Sequence, residues 1–301
     1  MIPSYLIFSQ HGMANTHHGM EALAKRNSDH TARIIASDLG CFKTLFSIEP
    51  LIAKMEMIAA QEIHNYPDVP IRIIGFSLGG VIWTEILTRH PEWWSRIESL
   101  VLLGSPIGGA HLAKIMDPLD LMHSAIAQDL GGDRRPLAEA IAQVVPTLII
   151  AGDRKRGSDG TVLVQTTQFQ HAKFVCIPRV KHSKLKCNEV VDRSIQLFWA
   201  EETKTIVLSE KPSITETISQ LRSVPGMTDA RSKYFKRSKP IGTVKEGIVL
   251  RVWKNPMGVK HIFLENEHGE CAFSGYVGLV HRGGLDRAIQ SILRSPTHPL
   301  Q

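Results

Sequence analysis

No apolar run in this 301-residue chain approaches the roughly 20 residues that a helix needs to cross a bilayer. The opening Met1-Ile2-Pro3-Ser4-Tyr5-Leu6-Ile7-Phe8-Ser9 has neither the basic start nor the long apolar stretch of a secretory leader, and it reads as a first strand. Cysteine is scarce, and its four copies (Cys41, Cys176, Cys187, Cys271) include no Cys-x-x-Cys pair. That spacing gives no support to a zinc ribbon or a dithiol redox centre, so buried, reduced thiols are expected. Together these absences favour a soluble, cytoplasmic protein.

What is present supports a real core: 43% of residues are hydrophobic, in a length that suits one large domain or two ordinary ones. Charge is distributed unevenly. From Glu201 onward there are 15 Lys and Arg against 10 Asp and Glu, which leaves 20 against 19 before it, so most of the net +6 belongs to the last third. The tightest cluster is Arg231, Lys233, Lys236, Arg237 and Lys239, with Tyr234 and Phe235 among them. It could meet nucleic acid or an anionic membrane surface. No nucleic-acid motif accompanies it, so a solvated basic loop is the expectation.

Short apolar runs alternate with helical patterns through the first two-thirds. Strands are expected at 5–9, 32–36, 71–76, 100–103, 147–151 and 173–177, with helices near 20–25, 48–64, 81–90 and 190–199. Each strand is a continuous apolar run, as in a parallel sheet covered on both faces. The fold class is therefore α/β, with a mostly parallel doubly wound sheet.

The central stretch is Ile71-Arg72-Ile73-Ile74-Gly75-Phe76-Ser77-Leu78-Gly79-Gly80. Here a β-branched strand runs through one serine into a helix, the context that a Gly-x-Ser-x-Gly nucleophile turn requires. Glycine at 75 and 79 removes Cβ atoms where strand and helix cross, and the helix start aims its N–H groups at the serine hydroxyl. Ligands of such sheets bind beyond the carboxyl ends of the strands. His11, Ser77, Ser105, Asp153 or Asp159, and His182 all fall at that edge. A serine nucleophile needs a base and a carboxylate to hold it. His182 follows the last strand, whereas His171 precedes it, which favours His182 as base. For the acid, Asp153 directly follows a strand and Asp159 lies six residues on. Either could instead be an Asx-turn residue. His17 and His18 read as a polar helix start with no Cys or carboxylate at metal spacing, so no metal and no cofactor is expected.

As a set, these motifs resemble the α/β-hydrolase superfamily, especially its lipase and esterase branch, over residues 5–200. His11-Gly12-Met13 is similar to the oxyanion loop of bacterial lipases. Asp159-Gly160-Thr161-Val162 is similar to their acid loop, which favours Asp159 over Asp153. Ser105-Pro106-Ile107-Gly108-Gly109-Ala110-His111 is similar to the segment that opens many lipase lids. The resemblance implies a triad of Ser77, Asp159 and His182, backbone oxyanion donors at Met13 and Leu78, and His11 and Gly12 in support. It implies a small-molecule ester or thioester substrate. A non-catalytic protein of the same fold that recruits an anionic partner, and an acyltransferase with the same triad, are the alternatives.

Residues 1–202 would form the hydrolase-like domain. Its insertion at about 110–145 reads as a lid or as helices packed on the sheet. Residues 203–301 would form a small α+β module. It has a capping box at Ser213-Ile214-Thr215-Glu216, strands at 247–254, 259–265 and 270–280, and a last helix at 285–293. Composition says nothing about oligomeric state.

Overall fold

The computed structural model describes residues 2–13, 15–40, 48–109, 132–155, 157–201, 212–244, 247–278 and 281–294. The chain forms two compact units, Met1–Ile206 and Val207–Gln301. The expected boundary at 202/203 lies outside the described residues. No helix among those described is long and apolar enough to cross a membrane.

The first unit is built on six parallel strands in the order β2-β1-β3-β4-β5-β6. In chain order its elements are β1 (Leu6–Gln10), α1 (His18–Asn27), β2 (Arg33–Ile35), α2 (Glu49–Asn65), β3 (Ile71–Phe76), α3 (Leu78–Arg89) and β4 (Ile97–Leu103). There follow α4 (Arg135–Ala142), β5 (Thr147–Asp153), α5 (Val164–Thr167), β6 (Lys173–Pro178), a 3-10 turn His182–Cys187 and α6 (Glu189–Glu201). Successive strand side chains point to opposite faces, and both faces here are covered. Leu6, Phe8, Ile71, Ile73, Leu100, Leu102 and Ile149 pack with α2, α3 and α4. Ile7, Ile74, Val101, Leu103, Leu148 and Ile150 pack with α1 and α6. The continuous apolar runs of the sequence follow from this double coverage.

Residues 110–131 of the insertion, including His111, lie outside the described residues. The part that is described answers the lid-or-packing question locally. α4 buries Ala138, Ile141 and Ala142 in the core beside α3, so 135–142 is a packed connecting helix and not lid. Arg134 N–H donates to Ile107 O at 2.9 Å, and Gly108 N–H to Thr166 O at 2.8 Å, so both ends of the insertion are pinned.

The second unit is α+β. After α7 (Pro212–Arg222) come β7 (Thr228–Asp229), a 3-10 turn Ser232–Arg237, β8 (Lys239–Thr243), β9 (Val249–Lys254), β10 (Lys260–Glu265), β11 (Cys271–Tyr276) and α8 (Arg282–Arg294). The sheet is antiparallel in the order β7-β11-β10-β9-β8. Leu250, Ile262, Leu264 and Phe273 pack under Leu221 of α7 and Leu285, Ile289 and Ile292 of α8.

Three sequence expectations are corrected. The helix expected from Ser213 is present as α7, but it starts one residue earlier, at Pro212. The basic cluster is an ordered 3-10 turn followed by an edge strand, because Tyr234 and Phe235 anchor it on the sheet. The thiols of Cys176 and Cys187 are exposed, one on the sheet's edge strand β6 and the other at the end of a surface turn. Cys41 lies outside the described residues.

Among the first unit's glycines, a Cβ would meet backbone atoms most closely at the start of α3, where it crosses β3 and the end of β1. A Cβ on Gly75 would stand 2.5 Å from Gly80 Cα and 2.7 Å from Gly80 N, and one on Gly79 would overlap the carbonyl oxygen of Gln10. These obstacles are backbone atoms that no rotamer change can move aside. Gly75→Ala is therefore expected to lower stability by about 1–3 kcal/mol, as overpacking in a close-packed interior does. A denaturant midpoint matching that of the parent protein would show that the crossing is looser than described.

Candidate active site

Between β1 and β3 the strand order reverses, and in such sheets the crevice beyond the carboxyl ends opens at that point. Gln10 pairs with Gly75, so the residues that leave the two strands emerge side by side. A Cβ on Gly12 would stand 2.7 Å from Ser77 Cβ. Sheet register thus brings His11-Gly12-Met13 against the serine.

Ser77 has φ 54° and ψ −121°, a positive φ that a non-glycine residue seldom adopts. Such strain costs of order 1–3 kcal/mol and persists only where the surroundings enforce it. Here they do: the Ser77 N–H donates to Leu103 O at 2.9 Å, and the Gly80 N–H to Ser77 O at 3.1 Å. Ser77 is 7% exposed. Leu78 is the first residue of α3, so its N–H has no partner within the helix. The Met13 N–H has no hydrogen-bond partner among the described residues either. Leu78 adjoins the serine in the chain, and Met13 follows Gly12, the loop residue that stands against it.

His182 opens the 3-10 turn after β6. Its Nδ1–H donates to Asp159 Oδ2 at 2.6 Å, and its own N–H donates to Asp159 O at 3.1 Å. The ring packs on Phe76, the residue before Ser77, with centroids 4.7 Å apart. It also lies 3.1 Å from where a Cβ on Gly104 would stand, and Gly104 follows the carbonyl that holds the Ser77 N–H. With Nδ1 engaged, Nε2 is the free nitrogen. No Ser77–His182 hydrogen bond is formed among the described residues. Such bonds are often long before substrate binds.

Asp159 is 3% exposed and its charge is fully engaged. Oδ1 accepts the N–H groups of Thr161 (2.9 Å) and Val162 (2.7 Å), while Oδ2 takes His182. One carboxylate is thus both an Asx turn and an imidazole holder. Asp153, the last residue of β5, faces its own loop instead: Oδ1 accepts from Gly157 at 3.1 Å and Ser158 at 3.3 Å. It shapes the loop that carries Asp159. His171 sits in a turn at φ 66°, before β6. Ser105 is buried and donates to Gly75 O at 3.3 Å, bracing the crossing.

His11 is wholly buried and structural. Its Nδ1–H donates to Gly12 O at 2.7 Å, and Nε2 accepts the Leu39 N–H at 3.0 Å. This pattern requires the neutral ring, and burial pushes its pKa below the ordinary value despite Asp38 at 3.5 Å.

Three neighbours were not evident in the sequence. Lys186, on the same 3-10 turn as His182, donates to Asn15 Oδ1 at 2.9 Å and lies 4.9 Å from the Phe76 ring centre. It ties the turn that carries His182 to the loop after β1, and burial lowers its pKa. The other two, Glu21 and Asp38, correct the reading of His17 and His18. Glu21 brings a ligand atom within 4.8 Å of one from each histidine, and Asp38 Oδ2 stands 3.6 Å from His17 Nδ1. Glu21 is one helical turn away and Asp38 comes from the loop after β2, so the group is a candidate cation holder. Lys25 already neutralises Glu21 at 2.6 Å.

This sheet order, with a serine turn after β3 and a histidine after β6, is the α/β-hydrolase fold. The lipase BlEst2 of Bacillus licheniformis is similar in structure, with a TM-score of 0.51 at 14% identity over 66% of this chain and 92% of its own. Est1E of Butyrivibrio proteoclasticus, in a structure with ferulic acid bound, is similar at TM-score 0.51 and 16% identity over 67% of this chain and 90% of its own. No protein-family model matches the chain, and no curated protein matches it in sequence.

The neutral His11 ring has a consequence for stability. Below about pH 6.5 the unfolded chain takes up a proton at His11 that the folded chain resists. Its contribution is complete above that pH and is lost as pH falls. The thermal midpoint is expected to drop on acidification from pH 7 to 5. His11→Gln should melt lower at pH 8 but show a shallower acid-side drop, and equal slopes in the two proteins would rule His11 out as the cause.

Proposed function

We propose that the protein is a serine hydrolase that cleaves carboxylic esters or thioesters through an acyl-enzyme. The observation that carries this reading is the pair of buried Asp159 and half-buried His182, hydrogen bonded at 2.6 Å, with the His182 ring packed against the residue that precedes a strained serine. A serine hydroxyl is a weak nucleophile until a base accepts its proton.

In this reading Ser77 Oγ attacks the acyl carbon while His182 Nε2 takes the hydroxyl proton. Asp159 keeps Nδ1 protonated and stabilises the imidazolium. The oxyanion that forms accepts hydrogen bonds from the N–H groups of Met13 and Leu78, at the positive end of α3. Collapse breaks the ester or thioester bond, and the leaving alcohol or thiol receives the proton from His182. Water, deprotonated by the same ring, then releases the acid and restores Ser77. Lipase and esterase names among the structural neighbours favour the ester class. Their identity to this chain is too low to select an acyl group.

A fluorophosphonate probe should label the protein, and Ser77→Ala should abolish labelling without loss of fold. Absence of labelling in the folded parent protein would overturn the reading. On p-nitrophenyl esters of graded chain length, Asp159→Asn is expected to lower kcat by about 10³- to 10⁴-fold, the scale seen when the carboxylate of a triad is neutralised. Asp153→Asn should cost much less, and the reverse order would exchange their roles.

Gly12→Ala tests the oxyanion loop. Its Cβ would meet Ser77 Cβ and, at 3.1 Å, Phe76 O. The variant is expected to lose turnover more than substrate affinity, since displaced donors act mainly in the transition state. An unchanged kcat would remove this loop from the mechanism.

A further inference from the structure

In the second unit α7 and α8 cover one face of the sheet, and the opposite face carries a row of rings. Trp253 of β9 pairs with His261 of β10, and His261 pairs with Tyr276 of β11, so the three lie directly opposite one another across three strands. Their ring centres are 5.1 Å apart at both steps. The 3-10 turn Ser232–Arg237 adds to the row. Tyr234 stacks on Trp253 at 3.9 Å with planes 12° apart, and Phe235 lies 6.1 Å from Phe263. These rings are half-buried, apart from fully buried Phe263.

Cations accompany the rings. Lys233 lies 4.4 Å from the Tyr234 ring centre, and Arg231, Lys236 and Arg237 belong to the same segment; Lys239, paired with Val252, points to the helix-covered side instead. All are exposed, and none has a carboxylate partner among the described residues. Glu265, the acid on this face, is already held by Arg251 at 2.6 Å. His261 Nδ1 is buried and has no hydrogen-bond partner. Burial, with the Lys233 charge, keeps this ring's pKa below the ordinary value, so it is neutral near pH 7. Positive charge outermost with flat rings beneath is a chemistry that matches phosphates and bases. A surface that inserts into a membrane has the opposite layering, with apolar side chains outermost.

We propose that this face binds single-stranded nucleic acid, with the exposed cations of residues 231–237 on phosphates and the half-buried rings of the Tyr234–Trp253–His261–Tyr276 row against unpaired bases. Three strands about 4.8 Å apart give a row that spans two or three bases. Paired bases cannot reach it, because only a splayed base offers its flat face. The proposal stands apart from the hydrolase reading and uses none of its residues.

The test is fluorescence anisotropy of labelled 12-mer oligo(dT) and oligo(rU) titrated with the full chain. Saturable binding is expected at low salt, weakening linearly in log K against log salt. Charge reversal in Lys233→Glu/Lys236→Glu/Arg237→Glu should weaken it at least tenfold. Trp253→Ala should weaken it about 5- to 100-fold, the range for loss of one stacked base, while Trp253→Phe, which keeps a ring, should retain most of it. Thermal melts identify any variant that fails to fold, and Trp253→Phe then carries the comparison. A 12-base-pair duplex should compete poorly. The proposal fails if the oligonucleotides do not bind at low salt, if the charge reversal is silent, or if duplex competes as well as single strand. It also fails if vesicles containing phosphatidylserine are bound while the oligonucleotides are not.

Discussion

The close crossing of the α3 start over the ends of β1 and β3 is the constraint on which the first unit depends. Backbone meets backbone there, with Gly75 against Gly80 and Gly79 against Gln10 O. That contact leaves the chain no room for an ordinary turn, so Ser77 is held at φ 54° and its neighbours Leu103 and Gly80 fix it by hydrogen bonds. Strain at one residue is tolerable because two cores, one on each face of the sheet, resist its relaxation. The same crossing sets the start of α3 and the loop after β1 next to Ser77.

The rest of the site is held by groups that each serve two ends. Asp159 spends one oxygen on its own turn and the other on His182, so the bonds that fold its loop also orient the ring. Asp153 closes the start of that loop. His11 bridges Gly12 O and the Leu39 N–H, joining the loop after β1 to the one after β2, and Lys186 joins the loop after β1 to the turn that carries His182. A buried bond left unmade costs about 1–3 kcal/mol, so each link resists displacement of the group it holds.

Much of the first unit was legible because a doubly covered parallel strand must be apolar at every position, which leaves continuous runs such as 71–76 and 147–151 in the sequence. The ends were less legible: β4 begins at Ile97 and not at residue 100, because Glu98 and Ser99 interrupt the run without ending the ladder. The serine turn could be read from its glycines. Asp159 could be preferred to Asp153 only by resemblance, since spacing says nothing of which carboxylate faces the ring. Lys186 and Asp38 had no signal at all, since their roles arise from loops that meet only in three dimensions. Cys176 misled for a related reason: composition cannot say that β6 is an edge.

The second unit was harder to read for a specific reason. Its β8 contains Pro240 and Gly242, with a register shift between them, and β7 is two residues long, so neither carries a pattern of its own. Antiparallel sheets with one covered face do alternate, and Leu250, Val252, Ile262 and Leu264 fall on the covered side as alternation requires. The uncovered partners of that alternation are Arg251, Trp253, His261 and Phe263, spread over two strands and bracketed by a basic segment some twenty residues earlier. Only the register Trp253–His261–Tyr276 turns them into one surface. A cluster of cations read alone is a solvated loop. Cations that border a continuous row of rings on an otherwise uncovered sheet face have a chemistry to offer, and strand pairing is what brings the two together.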